Sequence, residues 1–170
     1  MNIRLADAAD LPAVVDIYNE AIADRNATAD LSPVSVEGRA AWLSEHPPDT
    51  YPVFVAERGG GVVGWCSLSP YRPGRMALRH TAEISYYIAR ASRGTGVGSA
   101  LIAHAIERCP ELGLKTLFAI VLDINPASPS ILGKFGFEEW GRLPGVADFD
   151  GVECGHLYYG LRVVPARKGG

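Results

Sequence analysis

The chain has 170 residues, 48% hydrophobic and 21% charged, a balance that supports one globular domain around a single core rather than a disordered or fibrous protein. Its net charge of -3 gives no concentrated basic face, which excludes nucleic acid as an expected partner.

Met1 to Asp10 carries acids and one arginine without an apolar run, and no later stretch reaches the length of a membrane span. No membrane association is expected, and the expected compartment is the cytoplasm. Asn2 to Leu5 opens as a strand. Asp7 or Asp10 then caps a helix whose apolar positions Leu11, Val14, Val15, Tyr18 and Ile22 recur at helical spacing. A second helix starts near Ser35, puts Trp42 and Leu43 on its buried side, and stops before Pro47 and Pro48.

Tyr51 to Glu57 and Val62 to Leu68 are β-rich runs joined by Arg58 and three glycines, the pattern of a hairpin. Pro70 to Arg75 is a loop. His80 to Ala89 returns as a strand with Ile84, Tyr86 and Ile88 on one face and Glu83, Ser85 and Tyr87 on the other. Ala91 to Thr95 is again a loop, and Val97 to Cys109 has helical periodicity closed by Pro110 and Gly113. Leu114 to Leu122 is a nearly unbroken apolar run, which predicts a central strand buried on both faces. A short helix to about Lys134, a strand over Phe137 to Leu143 and a last strand over Leu157 to Val164 complete one domain spanning 1–164, with 165–170 as a tail.

The segment Arg93-Gly94-Thr95-Gly96-Val97-Gly98-Ser99 lies between a strand and a helix. Unpaired N–H groups at a helix start form an anion site, and glycines let a phosphate approach because no Cβ intervenes. A Walker A loop is excluded, since no Gly-Lys-Ser/Thr follows. A dinucleotide fingerprint fits less well: the glycines read GxGxG, although Asp123 follows the next strand where a ribose-binding acid can stand. A tight helix entry with no ligand also accounts for the turn alone. Cys66, Cys109 and Cys154 are too scattered for a disulfide framework or a CxxC site, and His80, His104 and His156 lie on separate elements, so no metal is expected.

With Arg93, Gly96 and Gly98 matching Arg/Gln-x-x-Gly-x-Gly/Ala, the chain resembles the GCN5-related N-acetyltransferases. Tyr51-Pro52-Val53, Gly64, the Glu83-to-Tyr87 strand, Asn125 and Gly136-Phe137 follow in that family's order. They look most like its phosphinothricin and methionine-sulfone acetyltransferase branch. The resemblance implies a three-layer α/β fold with a mixed, mostly antiparallel sheet of six or seven strands, and acetyl-CoA as co-substrate.

It further implies Glu83 as the base, and backbone groups of Tyr87, Ile88 and Ala89 on the pantetheine arm. Arg93, Gly94, Thr95, Gly96, Val97, Gly98 and Ser99 fall at the pyrophosphate. Asn125 and Ser128 fall beside the cofactor, where capping of the next helix is an equally good account of both. Tyr71, Arg72 and Ser85 fall at the acceptor, Arg72 as a possible clamp for a carboxylate. Tyr158 and Tyr159 are possible proton donors that core packing explains equally well. The acceptor implied is a small-molecule primary amine such as an amino acid or analogue, and relatives often form homodimers.

Two segments depart from the branch. Leu132 and Gly133 stand where it has a His-Glu pair, and Val146 to Glu153 does not match its C-terminal acceptor-side motif. That second departure motivates an alternative, a non-catalytic acyl-CoA sensor; a dinucleotide-binding domain is the other.

Overall fold

A computed structural model describes residues 1–163, so the expected tail 165–170 and the end of the last predicted strand lie outside the described residues. Seven strands form one sheet: β1 (Asn2–Leu5), β2 (Val53–Arg58), β3 (Gly61–Pro70), β4 (Thr81–Ile88), β5 (Thr116–Leu122), β6 (Glu138–Asp148) and β7 (Glu153–Arg162). Their order is β1-β2-β3-β4-β5-β7-β6, and every neighbouring pair is antiparallel except β4 with β5. A parallel pair needs a crossover, and the helix α3 (Val97–Arg108) supplies it.

Helices cover both faces. Under one face, α3 and α4 (Ala127–Lys134) bury Leu101, Ile102, Ala105 and Leu132 against Ile84, Leu117 and Ala119. On the other, α1 (Leu11–Asp24) packs Val14, Ile17, Tyr18 and Ile22 against Val53, Val55 and Trp65, and the Trp65 indole donates to the Val14 carbonyl at 3.1 Å. The alternation of β4 therefore holds: Ile84, Tyr86 and Ile88 meet the α3 side while Tyr87 meets the α1 side.

Three expectations change in detail. Trp42 and Leu43, on α2 (Val36–Ser44), are only half-buried, because this short helix rides over α1 and the edge of Trp65 rather than over the sheet. β5 is not buried on both faces: Phe118 and Ile120, on the face opposite α3, are half-buried, since α1 packs chiefly over β3 and β4. β6 and β7 run on past their expected limits into one long hairpin closed over 149–152, whose end packs Ala147, Phe149 and Cys154 against Leu122. The segment unlike the branch is that hairpin end.

Candidate active site

β4 and β5 hydrogen-bond only where Thr81–Glu83 meet Thr116–Phe118. Beyond Glu83 each strand keeps its other neighbour: β4 stays on β3 through Gly64 opposite Ile88, and β5 stays on β7 through Leu122 opposite His156. The two halves of the sheet part between them. The resulting cleft encloses about 370 Å³, part of it open to solvent, between Ile84–Tyr87 and Ala119–Val121, with Asn125 and Ser128 at its α4 side.

Register decides which backbone groups face this gap. The Ala89 N–H is bonded to the Val63 carbonyl at 3.0 Å, and Tyr71 N–H to Thr81 at 3.3 Å, so odd-numbered residues of this segment spend their polar groups on β3. Tyr87 and Ala89 therefore have little backbone to lend, whereas Ile84, Tyr86 and Ile88 turn theirs toward the missing strand. The Ile88 carbonyl accepts from Arg93 Nε at 3.2 Å. Open N–H groups of Tyr86 and Ile88 are thus what the splayed strand offers a ligand. Sequence reasoning missed Tyr86 here, although the pairing of the hairpin before it carried the phase.

At one end of the gap lies the glycine turn. Gly94 and Gly96 have φ of 74° and 88°, a region costly for residues with a Cβ, and a Cβ at either would meet open space. Among the described residues no acceptor occupies the N–H groups of Gly96, Val97, Gly98 or Ser99. Thr95 is engaged by its side chain instead, donating to Ser92 and accepting from Arg58. The Arg93 guanidinium pairs with Asp24 on α1 at 2.6 Å, and Arg90 pairs with the other oxygen of the same carboxylate. Arg93, with Arg90 behind it, holds the Asp24 carboxyl below its usual range against the opposing effect of burial. Its side chain braces the turn, and the N–H groups of Gly96 to Ser99 are what the turn leaves open.

Across the gap, Asn125 Oδ1 accepts from the N–H groups of Ala127 and Ser128 at 3.1 Å each, so it caps α4 while lining the cleft. The capping contacts expected of it are present, and they leave the residue at the edge of the cleft.

Glu83 sits at the last paired position, where the strands divide. Among the described residues its carboxylate has no cationic partner and no hydrogen bond, which removes the strand-edge salt bridge as its explanation, and burial pushes its carboxyl pKa up. Opposite it on β3 stands Ser69, whose hydroxyl lies 3.0 Å from Nε2 of His46, a residue only 8% exposed. His46 Nδ1 lies 2.7 Å from the Trp42 carbonyl and must donate there, so in the neutral ring Nε2 accepts from Ser69.

On the Glu83 face an aromatic wall rises beside the gap. Tyr71 stacks on Phe118 at 4.8 Å, Trp140 meets Phe118 edge-on at 5.4 Å, and Tyr158 approaches it at 6.4 Å. Trp140 lies over Gly160, where any side chain would collide with the indole. Arg72 is exposed, its guanidinium 5.7 Å from the Tyr71 ring, and Ser85 lines the cleft. Phe118 and Trp140 were invisible as site residues in the sequence, because only the strand order brings β5 and β6 beside Tyr71. Tyr159 points into the α3-side core, away from this wall. No group of His, Cys, Asp and Glu with metal-binding geometry occurs among the described residues.

A sheet split at its one parallel pair, with bare amides at one end of the split and an unpaired carboxylate at the other, defines an acyl-CoA-dependent transferase. The chain belongs to the acetyltransferase (GNAT) family, whose model matches residues 14–137. It is 45% identical over 152 residues to the Bacillus subtilis protein YwnH, covering 89% of this chain and 92% of that one. It is 34% identical over 168 residues to the L-methionine sulfoximine/L-methionine sulfone acetyltransferase of Pseudomonas aeruginosa, covering 98% and 97%. The crystal structure of a phosphinothricin acetyltransferase from Sinorhizobium meliloti in complex with acetyl-CoA superposes with a TM-score of 0.91 at 28% identity, covering 99% and 91%. The phosphinothricin-like branch and the three-layer fold stand, and with them an acetyl-CoA-dependent N-acetyltransferase. No helix of the described residues is long and apolar enough to cross a membrane.

Proposed function

We propose that the chain acetylates the primary amine of a small amino acid or analogue, with Glu83 as the base. The observation that carries this reading is an unpaired, half-buried carboxylate at the point where β4 and β5 separate, beside an aromatic wall. Bare amides from Gly96 to Ser99 hold the diphosphate of acetyl-CoA, and the gap takes its pantetheine arm. An ammonium entering along Tyr71, Phe118 and Trp140 loses a proton to Glu83. The free amine then attacks the thioester carbonyl, and the open N–H groups of β4 meet the charge that grows on its oxygen. Arg72, exposed and near Tyr71, supplies a guanidinium for the acceptor's carboxylate. The name of the Pseudomonas relative, a sulfoximine and sulfone acetyltransferase, supports the acceptor class.

A homodimer belongs to the same reading: β6 is an edge strand, and Leu143, Val146 and Val152 expose apolar surface along its hairpin. A cytoplasmic setting is carried with it. Thiol release from acetyl-CoA, measured across amino acids and their sulfone, sulfoximine and phosphinic analogues, tests the reaction. Turnover with at least one such amine is expected. Tight acetyl-CoA binding with no thiol release for any of them contradicts it and favours a sensor.

A further inference from the structure

The face of β4 opposite Glu83 holds a polar group that the reaction above does not use. Tyr86 Oη is buried without a hydrogen-bond partner among the described residues, and the residue lines the β4–β5 gap together with Ser128. A buried hydroxyl left unpaired is costly, and native structures satisfy such groups with a partner, a water or a ligand. The Ser128 side chain is near enough to draw the phenol's pKa down, yet the pair falls short of hydrogen-bonding geometry. Burial outweighs that influence and pushes the phenol up to about 12, so it stays a donor across the working range of pH. One turn beyond Ser128, Leu132 is fully buried and offers no proton.

Strand alternation settles the side from which Tyr86 acts. Glu83 and Tyr86 are three residues apart, hence on opposite faces of β4. An amine deprotonated by Glu83 adds to the thioester carbon from the Glu83 face, and the C–S bond of the resulting tetrahedral carbon points off that line of attack, free to face Tyr86. We propose that Tyr86 Oη, seconded by Ser128, hydrogen-bonds the coenzyme A sulfur and stabilises the departing thiolate. This inference rests on the acetyl-transfer reading. Glu83 hands the ammonium's first proton on to solvent water, and as the C–N bond forms the nitrogen's second proton passes to the freed carboxylate. The C–S bond then breaks with its electron pair on sulfur. Tyr86 shares but keeps its proton, and the thiolate is protonated from water on release.

The test uses Tyr86→Phe and unacetylated CoA as the probe. Titration of the bound thiol by thiolate ultraviolet absorbance is expected to give a pKa about one unit higher in Tyr86→Phe than in wild type, the size of one lost hydrogen bond to a charged group. In acetyl transfer the variant is expected to lose about 10- to 100-fold in kcat with KM for acetyl-CoA nearly unchanged. That loss should shrink with acetyl thioesters of more acidic thiols, a dependence that a purely structural role would not produce. Equal thiol pKa values in the two proteins overturn the proposal. If wild type transfers acetyl to no amine, the transfer reading fails, and the thiol titration still decides for or against Tyr86. If Tyr86→Phe does not fold, a crystal of wild type with CoA decides: sulfur within hydrogen-bond reach of Oη supports it, and sulfur on the Glu83 side overturns it.

Discussion

At the scale of single residues, Glu83 carries both a benefit and a cost. Its carboxyl is raised by burial and lacks any compensating cation among the described residues. A raised carboxylate pKa means the folded state holds its proton more tightly than the unfolded chain. Stability from this group is therefore full below the unfolded value, falls as pH rises toward the folded one, and stays low beyond it. Replacing Glu83 by Gln removes that cost, so Glu83→Gln is expected to melt higher than wild type at neutral pH. The same change should lower kcat by about 100-fold or more with acetyl-CoA affinity retained, as loss of a general base does. The wild-type rate should climb with pH along a limb lying above the ordinary carboxylate range. Thermal melts and pH-rate profiles of the two proteins check all three; a variant with wild-type rate removes Glu83 from the reaction.

Glu83 was legible in the sequence because it belongs to a short pattern on a recognisable strand. Its surroundings were not. Phe118 lay in a run that looked like pure core, and it joins the aromatic wall with Tyr71 and Trp140 because its face of β5 is only half-covered. Trp140 is 44% exposed and is seated by Gly160 from the neighbouring strand, a relation that no local spacing carries.

At the scale of elements, the turn before α3 is built from two separable parts. The glycines supply the backbone shape, and the Asp24 carboxylate with Arg90 and Arg93 ties that shape to α1. Gly96→Ala places a methyl on a residue with φ of 88°, which costs about 1–2 kcal/mol and crowds the approach of a phosphate. We expect lower stability and a raised KM for acetyl-CoA, with kcat falling less. Steady-state kinetics and a melt check this, and unchanged KM would detach the turn from cofactor binding. The glycine pattern was readable from spacing, but the partner of Arg93 was not: Asp24 is 69 residues away, and its helix showed only an ordinary amphipathic stripe. The backbone phase of β4 was likewise hidden. Tyr87, Ile88 and Ala89 share one segment, yet only alternate residues turn toward the gap, and pairing with β3 sets which.

At the scale of the molecule, the fold depends on how its first strand is anchored. Arg4 on β1 makes a bidentate contact with Asp10 at 2.7 and 2.8 Å and reaches Glu57 on β2 at 2.7 Å, joining two strands to the start of α1. Asp10 is 6% exposed, and Arg4 holds its carboxyl below the usual range despite the opposing effect of burial. A depressed pKa contributes stability above the unfolded value, and that contribution is lost as pH falls through the folded one. The protein should therefore lose stability below about pH 4, and Asp10→Asn should flatten that acid limb. Urea unfolding at several pH values measures it; parallel curves for both proteins would contradict the assignment.

Most of the seven-strand plan followed from periodicity and turn residues, because those signals are local. The breaks in expectation, at β5 and in the β6–β7 hairpin, fall where a strand's environment is fixed by partners distant in sequence.

The proposed reaction turns on one arrangement, a diphosphate held by the turn and a thioester carried through the split sheet to Glu83. A crystal structure with acetyl-CoA measures it directly. The diphosphate should rest on the N–H groups of Gly96 to Ser99, and the acetyl carbonyl should lie between β4 and β5 within one water of the Glu83 carboxylate. Acetyl-CoA bound with its thioester outside the gap, or with Glu83 turned from it, would contradict the account.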